Sequence, residues 1–174
     1  VMVLEAWSDE ATFYIWNGAK YKPKKSREGF GYEDFDFGES KFWNDPKSMI
    51  KKIHEKGLKL VLWQIPVFKK QDSGEEISDQ LVCDREYAVE NQLVVKKQDG
   101  SPYEIPEGNW FSGSMIPDFT NPATKEFWFN RRKYLTEIGV DGFKTDGGEF
   151  IYDENVIFHN GMTGKEGKNQ YCQE

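Results

Sequence analysis

Carboxylate, lysine and tryptophan side chains follow three short apolar runs of this 174-residue sequence, and these side chains could do chemistry. They are Glu5 and Trp7 after the first run, Trp63 and Gln64 in the second, and Lys144, Asp146 and Glu149 in and after the third. The period of a strand puts Lys144 and Asp146 on one face. A nearby positive charge favours the ionised carboxylate, which suits a nucleophile. A plain buried ion pair is the alternative interpretation.

The sequence has few residues that could support other kinds of catalysis. Its two histidines, His54 and His159, are far apart, which disfavours a zinc site or a Ser-His-Asp triad. No glycine-rich phosphate loop opens a predicted helix, which disfavours nucleotide binding. Carboxylates alone are typical of glycoside hydrolysis, in which one carboxyl group attacks the anomeric carbon or activates water while another protonates the leaving group. We therefore predict an enzyme without a metal or a cofactor.

The composition of the chain limits the kinds of partner that it could bind. The chain has 30 acidic and 23 Lys and Arg residues, a formal charge of −7, which argues against nucleic acids and anionic membrane surfaces. No apolar stretch approaches the roughly 20 residues of a spanning helix. The start at Val1 shows no signal peptide, so a cytoplasmic location is expected, and it suggests a piece of a longer protein. Cys83 and Cys172 are predicted to be thiols, not a disulfide framework or a metal site.

Aromatic residues make up 16% of the chain, a heavy load for a sequence with a mean hydropathy of −0.76. Flat aromatic rings fill cores, and they also stack on the apolar faces of sugars. Core packing is the default for any single ring. Six rings in predicted loops are harder to place in a core: Trp7, Phe13, Tyr14, Trp16, Trp110 and Phe111.

The same helix–strand unit occurs twice. An Asn or Asp cap followed by proline predicts helices over 46–56 and 122–138, and a glycine follows each helix. Apolar runs then predict buried strands over 58–66 and 140–146, and a further strand opens the chain at 1–4.

The remaining segments have weaker patterns. We predict a short helix over 84–91 and short strands over 93–96 and 115–119. Residues 17–41 are predicted to be a long, partly ordered excursion, and residues from 153 onward a loop.

Alternating helices and buried strands predict an α/β fold with a parallel sheet. An open doubly wound sheet and a (β/α)8 barrel both fit the pattern. A complete barrel needs about 250 residues, so this chain would be a partial (β/α)8 TIM barrel. In either architecture the active site forms at the carboxyl ends of the strands, where the polar residues named above are expected to meet.

Four segments resemble motifs of glycoside hydrolase family 31, in the same order and at similar spacing. They are VLEAW (3–7), GLKLVLWQIP (57–66), DFTNP (118–122) and DGFKTDGGE (141–149). The last is similar to the family's nucleophile motif, and closest to F-K-T-D-F-G-E of the α-xylosidase-like branch. The resemblance covers most of residues 1–151.

This resemblance implies that residues 1–174 are an incomplete single (β/α)8 catalytic domain acting on α-glycosides with retention of configuration. Asp146 would be the catalytic nucleophile, and Lys144 would contact a sugar hydroxyl beside it. Trp63 would line the subsite of the cleaved sugar, and Glu5 would bind its hydroxyls. The substrate-binding residues implied in this way are Glu5, Trp7, Trp63, Lys144 and Glu149.

The sequence departs from the family pattern at two positions. Gly147 replaces a phenylalanine, which is expected to open the site, and Glu5 stands where the family usually has aspartate, which shifts a hydroxyl contact by one methylene. Asp118 is expected to fix the loop before the Asn121 helix. The acid/base aspartate is expected beyond Glu174, so the chain alone is predicted to be inactive.

The resulting prediction is a retaining α-glycosidase that hydrolyses terminal α-glucosides or α-xylosides through a covalent glycosyl-aspartate. An α-transglycosylase and a non-catalytic carbohydrate-binding module are the alternatives, and an aldolase or dehydratase using Lys144 as a Schiff base is a weaker one. The expected partner is a carbohydrate substrate. A homo-oligomer is also considered, because an incomplete barrel leaves sheet edges open.

Overall fold

The computed structural model describes residues 1–71 and 78–170, so the prediction for Cys172 lies outside the described residues. The chain forms two compact units, residues 1–65 with 127–146 and residues 66–126 with 147–174. Its elements are β1 (Met2–Leu4), a 3-10 turn (Tyr32–Asp34), α1 (Pro46–Glu55), β2 (Leu60–Gln64), α2 (Asp79–Glu90), α3 (Pro122–Glu137), β3 (Gly142–Thr145) and α4 (Gly164–Gly167).

The sheet of the first unit is parallel, with the order β1-β2-β3. Val3 pairs with Val61 of β2, and Trp63 pairs with Lys144 of β3. Each pair of neighbouring strands runs in the same direction, so all three carboxyl ends lie at one edge. The predicted α/β fold with a parallel sheet is confirmed for this part of the chain.

Local signals set the ends of the helices. The Asp45 carboxylate accepts a hydrogen bond from the Ser48 amide (2.9 Å) and caps α1, and Pro46 begins the helix. Beyond the helices, Gly57 and Gly139 have φ angles of +73° and +107°, a region that favours glycine. The two predicted helix–strand units are therefore confirmed, with strands shorter than predicted.

One face of the sheet packs into the core of the first unit. Leu60 and Leu62 of β2 are fully buried and belong to the same apolar cluster as Ile50 of α1 and Tyr134 and Leu135 of α3. Burial of such apolar surface is the main force that holds the two helices on the strands.

Three aromatic rings near the amino end, Trp7, Tyr14 and Trp16, belong to this core, and Phe13 is buried outside it. All four are at most 4% exposed, which corrects the expectation that they are hard to bury. Residues 17–41 are also better packed than predicted, because the buried rings of Phe30, Phe35 and Phe37 join the same core. The loops here are built around aromatic side chains.

The second unit differs from the prediction in its strands. Residues 93–96 and 115–119 form isolated bridges, Val94 with Pro117 and Lys96 with Pro102, so the two predicted strands are wrong. The physical reason is that proline has no amide hydrogen to extend a ladder.

The second unit also contains more helix than was predicted. The helix predicted over 84–91 is α2 and begins earlier, at Asp79, after the cap Ser78. In the predicted terminal loop, Thr163 and Glu166 form a capping box at the start of α4. Within 1–71 and 78–170, every helix is too short or too polar to cross a membrane.

Candidate functional site

The candidate site lies on the face of the sheet that the core does not use. Val61 and Trp63 alternate with the buried Leu60 and Leu62, so they point away from α1 and α3. Residues paired across parallel strands share a face, which adds the partners of Val61 and Trp63. We call this the open face. Strand pairing places Val3, Val61, Trp63, Gly142 and Lys144 on it, alternation adds Asp146, and the ion pair with Lys144 adds Glu5.

Asp146 stands at the carboxyl end of β3. Its amide donates to the Gln64 carbonyl (2.8 Å), which continues the strand pairing past Thr145 and keeps Asp146 on the same face as Lys144. The Trp63 indole N–H donates to Asp146 Oδ2 (3.0 Å). The carboxylate is half-buried, oriented by a neighbouring strand, and on the side opposite the helices.

Lys144 pairs with Glu5 across the open face. Lys144 Nζ lies 2.6 Å from Glu5 Oε1, and the side chains are 45% and 59% exposed. The alternative considered from the sequence was a buried Lys144–Asp146 pair, and the 45% exposure of the Lys144 side chain does not agree with it. The hydrogen bond that Lys144 donates to Glu5 raises the pKa of the Lys144 amine above its ordinary value. The charges of Glu5 and Asp146 add to the rise, and desolvation opposes it. The amine therefore stays charged beside the candidate nucleophile.

Trp7 takes a different place from the one predicted. It is fully buried, its indole N–H donates to the Trp63 carbonyl (3.0 Å), and its ring packs on Trp16 with centroids 4.8 Å apart. An enclosed ring offers no face to a sugar, so the predicted direct contact does not agree with the structure. Trp7 instead holds the main chain at the carboxyl end of β2.

Sequence reasoning missed a polar chain behind Trp63. The buried Gln64 amide donates to the Phe13 carbonyl (2.6 Å), and Arg132 Nε donates to Gln64 Oε1 (2.6 Å). The Phe13 ring meets the Trp63 indole edge to face, with centroids 5.6 Å apart. The available signal was a glutamine inside an otherwise apolar strand, because a buried amide requires hydrogen-bond partners.

Asp9 supports the loop that presents Phe13. Its carboxylate accepts hydrogen bonds from the Ala11, Thr12 and Phe13 amides and from the Thr12 hydroxyl, at 2.9–3.3 Å. Burial raises the pKa of Asp9 from 3.8 to about 6, although these hydrogen bonds oppose the rise. Nothing in the local sequence distinguished Asp9 from an ordinary surface aspartate.

Two predicted features fall in the second unit. Glu149 is exposed there, and its sugar contact stays a prediction. Gly147 has a φ of +71°, and a Cβ at this position would collide with the Phe150 ring. The space expected beside Gly147 is therefore filled, which corrects the expectation of an open site at this residue.

Asp118 has the structural place that was expected. Its buried carboxylate accepts hydrogen bonds from the Thr120 amide (3.0 Å) and hydroxyl (2.7 Å) and from the His159 amide (2.6 Å). The Asn121 side chain then accepts from the Ala123 amide (3.0 Å) at the start of α3. These bonds fix the loop before the helix.

Metal ligands are not gathered in the described part of the chain. Across residues 1–71 and 78–170, no group of three or more His, Cys, Asp or Glu side chains could hold a metal ion. The chemistry of the open face is that of one carboxylate, one carboxylate–ammonium pair and an indole.

Comparisons with known proteins agree with this geometry. Residues 9–172 match the model of the glycosyl hydrolases family 31 TIM-barrel domain. The chain is 44% identical to an isomaltosyltransferase of Sporosarcina globispora, over 99% of this chain and 16% of the relative. It is 37% identical to a 1,3-alpha-isomaltosidase of Kribbella flavida, over 98% of this chain and 23% of the relative.

A solved structure is similar over nearly the whole chain. The cycloalternan-degrading enzyme of Trueperella pyogenes, in complex with a covalent intermediate, superimposes with a TM-score of 0.90 at 36% identity, covering 98% of this chain and 23% of that one. The chain thus spans between 16% and 23% of the length of these three proteins. The matched domain, the four ordered motifs and the open-face geometry together show that the chain belongs to glycoside hydrolase family 31.

Proposed function

We propose that this chain carries the nucleophile half of the active site of a retaining α-glucan-active enzyme. In this proposal β1, β2 and β3 are successive strands of a (β/α)8 catalytic barrel, and the open face is turned toward the barrel interior. The observation that carries the proposal is the position of Asp146 at the carboxyl edge of the sheet, opposite the helices and hydrogen-bonded to Trp63.

The proposed reaction has two steps. An Asp146 oxygen attacks the anomeric carbon as the bond to the leaving oxygen breaks, and a general acid supplied elsewhere in the full-length enzyme protonates that oxygen. Water or a sugar hydroxyl, deprotonated by the same acid/base group, then displaces Asp146 from the covalent glycosyl ester. The two inversions restore the original configuration. A covalent intermediate described for the Trueperella pyogenes relative supports this route.

The neighbours of Asp146 would bind and orient the sugar. The exposed Lys144 amine and Glu5 carboxylate would hydrogen-bond hydroxyls of the sugar that is cleaved. Trp63 would hold the Asp146 oxygen through its indole N–H and present its partly exposed ring to the same sugar.

An α-linked glucosyl or isomaltosyl unit is the donor that we propose. The relatives named above as an isomaltosyltransferase and a 1,3-alpha-isomaltosidase support this class and leave both fates of the covalent ester open, transfer to a sugar and hydrolysis. A carbohydrate-binding module is the competing function, and it would not depend on the charge of Asp146.

A mechanism-based trap tests the proposal in the full-length enzyme. Incubation with 5-fluoro-α-glucosyl fluoride should add one fluoroglucosyl group to the peptide that contains Asp146, as measured by mass spectrometry. Asp146→Asn should lower turnover by at least about 10³-fold. Glu137→Gln makes the same chemical change on the surface of α3 and should leave turnover unchanged. Label on a different peptide, or an active Asp146→Asn enzyme, would contradict the assignment.

A further inference from the structure

Two buried side chains on the helix side of β2 connect the candidate nucleophile to the interior of the first unit. Gln64 ends β2, and its side chain points toward α3, opposite to that of Trp63. The Gln64 amide nitrogen donates to the Phe13 carbonyl (2.6 Å), and the amide oxygen accepts from Arg132 Nε of α3 (2.6 Å). Gln64 and Arg132 are each 4% exposed, so they offer no surface to a sugar.

The contacts of Gln64 form a closed cycle that includes Asp146. The Asp146 amide donates to the Gln64 carbonyl (2.8 Å), and the Asp146 carboxylate accepts from the Trp63 indole (3.0 Å). The Trp63 indole meets the Phe13 ring edge to face, and the Phe13 carbonyl accepts from the Gln64 side chain. Each of these four residues is therefore held by two others of the cycle.

Phe13 is held in an uncommon conformation at both of its main-chain polar groups. Its φ of +60° lies in the left-handed region, which is costly for an aromatic residue. The Asp9 carboxylate accepts from the Phe13 amide (3.3 Å), and the Gln64 side chain donates to the Phe13 carbonyl. Backbone strain of this kind persists only where the surrounding structure enforces it, and it concentrates at functional sites. In this conformation the Phe13 ring lies against Trp63.

Arg132 determines which way the Gln64 amide faces. A guanidinium only donates hydrogen bonds and a carbonyl only accepts them, so the amide oxygen must face Arg132 and the amide nitrogen must face Phe13. The guanidinium lies 3.5 Å from the centroid of the Trp128 ring and donates to the Trp128 carbonyl (3.1 Å), which fixes it in turn. Replacing both members of a buried polar pair by apolar side chains is often neutral or stabilising. Stability alone therefore does not account for these two side chains.

We propose that Gln64 and Arg132 are positioning residues for the reaction at Asp146. Arg132 orients the Gln64 amide, which holds Phe13 in its strained conformation. The Phe13 ring in turn keeps the Trp63 indole directed at the Asp146 carboxylate. The proposal rests on the proposed function for the role of Asp146. It assigns a part in the chemical step to two buried side chains that do not touch the sugar.

Gln64→Glu in the full-length enzyme tests the bond to Phe13. Glutamate keeps the side-chain volume and an acceptor for Arg132, whose charge favours the ionised form, and it places an oxygen against the Phe13 carbonyl. We expect the saturating rate at which 5-fluoro-α-glucosyl fluoride labels Asp146 to fall by about tenfold. The probe concentration that gives half of this rate should change by less than about twofold, because no sugar contact is lost. Labelling at the unmodified rate, followed by mass spectrometry over time, would overturn the proposal.

Arg131→Met is the matched control for the loss of a buried arginine. Arg131 precedes Arg132 on α3, is fully buried, and donates to main-chain carbonyls of a different loop, those of Lys24, Ser26 and Glu28. We expect Arg131→Met to lower the Tm and to leave the labelling rate within about twofold of the unmodified enzyme. Arg132→Met should lower both the Tm and the labelling rate. An Arg132→Met enzyme that is labelled as fast as Arg131→Met, or faster, would overturn the proposal.

The double variant Gln64→Leu/Arg132→Met separates the labelling rate from stability. It replaces both polar partners by apolar side chains, so its Tm should exceed that of Gln64→Leu, in which the guanidinium has lost this acceptor. Its labelling rate should stay as low as that of Gln64→Leu, because both changes interrupt the same contacts. A rate that recovers together with the Tm would assign Gln64 and Arg132 to folding alone. In the unmodified enzyme, label on a peptide without Asp146 would instead refute the proposed catalytic role, so the two proposals fail separately.

Discussion

At the scale of single residues, one indole connects the candidate nucleophile to the body of the protein. The Trp63 side chain donates to Asp146, and its main-chain carbonyl accepts from the buried Trp7. A hydrogen bond to a carboxylate stabilises the ionised form, which is the form that attacks carbon. Trp63 therefore acts on the charge of Asp146 as well as on its position.

Replacing this indole N–H gives the first prediction. Trp63→Phe retains an aromatic ring against Phe13 but removes the donor to Asp146. We expect kcat/KM to fall by about tenfold. Steady-state kinetics of the full-length enzyme would measure this fall, and an unchanged kcat/KM would contradict the role of the indole N–H.

Glu5 gives a second prediction at this scale. Glu5→Asp restores the residue that the family pattern expects and shortens the reach toward Lys144, which now lies 2.6 Å away. We expect a change in KM larger than the change in kcat, because the predicted role of Glu5 is to bind sugar hydroxyls. Steady-state kinetics with α-glucosides and α-xylosides would measure it. A pure kcat effect would indicate that Glu5 acts on the chemical step instead.

At the scale of elements, Asp141 lies just before β3 and connects this strand to α1 and β2. Its carboxylate bonds the His54 ring of α1 (2.7 Å), the Lys59 amine (2.7 Å) and the Leu60 amide of β2 (2.9 Å). The hydrogen bond from Lys59 contributes most to holding the pKa of Asp141 well below its usual range, and the bonds from Leu60 and His54 add to it. This cluster fixes the register that places Asp146 beside Trp63.

Asp141→Asn should therefore lower the Tm by a few degrees at neutral pH. The pKa of the Asp141 carboxyl is lower in the folded state than in the unfolded state. Its contribution to the stability of the fold is therefore full above the unfolded-state pKa and is lost as the pH falls toward the folded-state pKa. Glu137→Gln breaks only an exposed pair with Lys133 (3.4 Å) and should have almost no effect. Thermal denaturation at pH 7 and pH 3 compares Asp141→Asn and Glu137→Gln with the unmodified protein. A Tm of Asp141→Asn at pH 7 equal to that of the unmodified protein would contradict the prediction.

The raised pKa of Asp9 predicts that the stability of its loop depends on pH in the opposite direction. Its folded-state pKa of about 6 exceeds 3.8, so the contribution of this group to loop stability is full below 3.8 and is lost as the pH rises through 6. We expect the amide protection of residues 11–13 to fall by up to about 100-fold between pH 4 and 7. Hydrogen exchange corrected for intrinsic rates measures this fall, and Asp9→Asn should flatten it. A similar fall in Asp9→Asn would assign it to another group.

Elements marked by local signals were predictable from the sequence. Asp45, Pro46 and Gly57 act on the main chain within one helical turn of themselves, so the bounds of α1 follow from them. The predicted strands of the second unit failed because their partners are set by tertiary contacts. Val94 meets Pro117, and the pattern of residues 93–96 does not identify this partner. Pro117 itself was visible within 115–119 and argued against a strand there.

The candidate site was predictable for a related reason. Strand alternation and the common edge of parallel strands bring Glu5, Trp63, Lys144 and Asp146 together without knowledge of any loop. The burial of Trp7 and the support from Asp9 depend on a loop conformation that sequence periodicity does not encode. A substrate-facing residue was therefore predicted where the structure has a buried one.

At the scale of the whole molecule, the chain is a part of something larger in its relatives, which it covers by 16% and 23%. Retaining glycosidases need a second carboxyl group about 5–5.5 Å from the nucleophile. We expect the 174-residue chain, expressed alone, to show no steady turnover of α-glucosides, while the full-length enzyme does. Product formation by the purified chain over many turnovers would show that it contains its own proton donor.

The double use of Trp63 has an evolutionary consequence. The Trp63 carbonyl accepts from the buried Trp7, and the Trp63 indole donates to the carboxylate of the proposed nucleophile Asp146. We therefore expect a mutation in the packing around Trp7 to displace the Asp146 carboxylate while the groups proposed to bind the sugar stay the same. In this proposal, sequence changes in the interior around Trp7 would adjust the rate of the chemical step before any change in the groups that recognise the sugar.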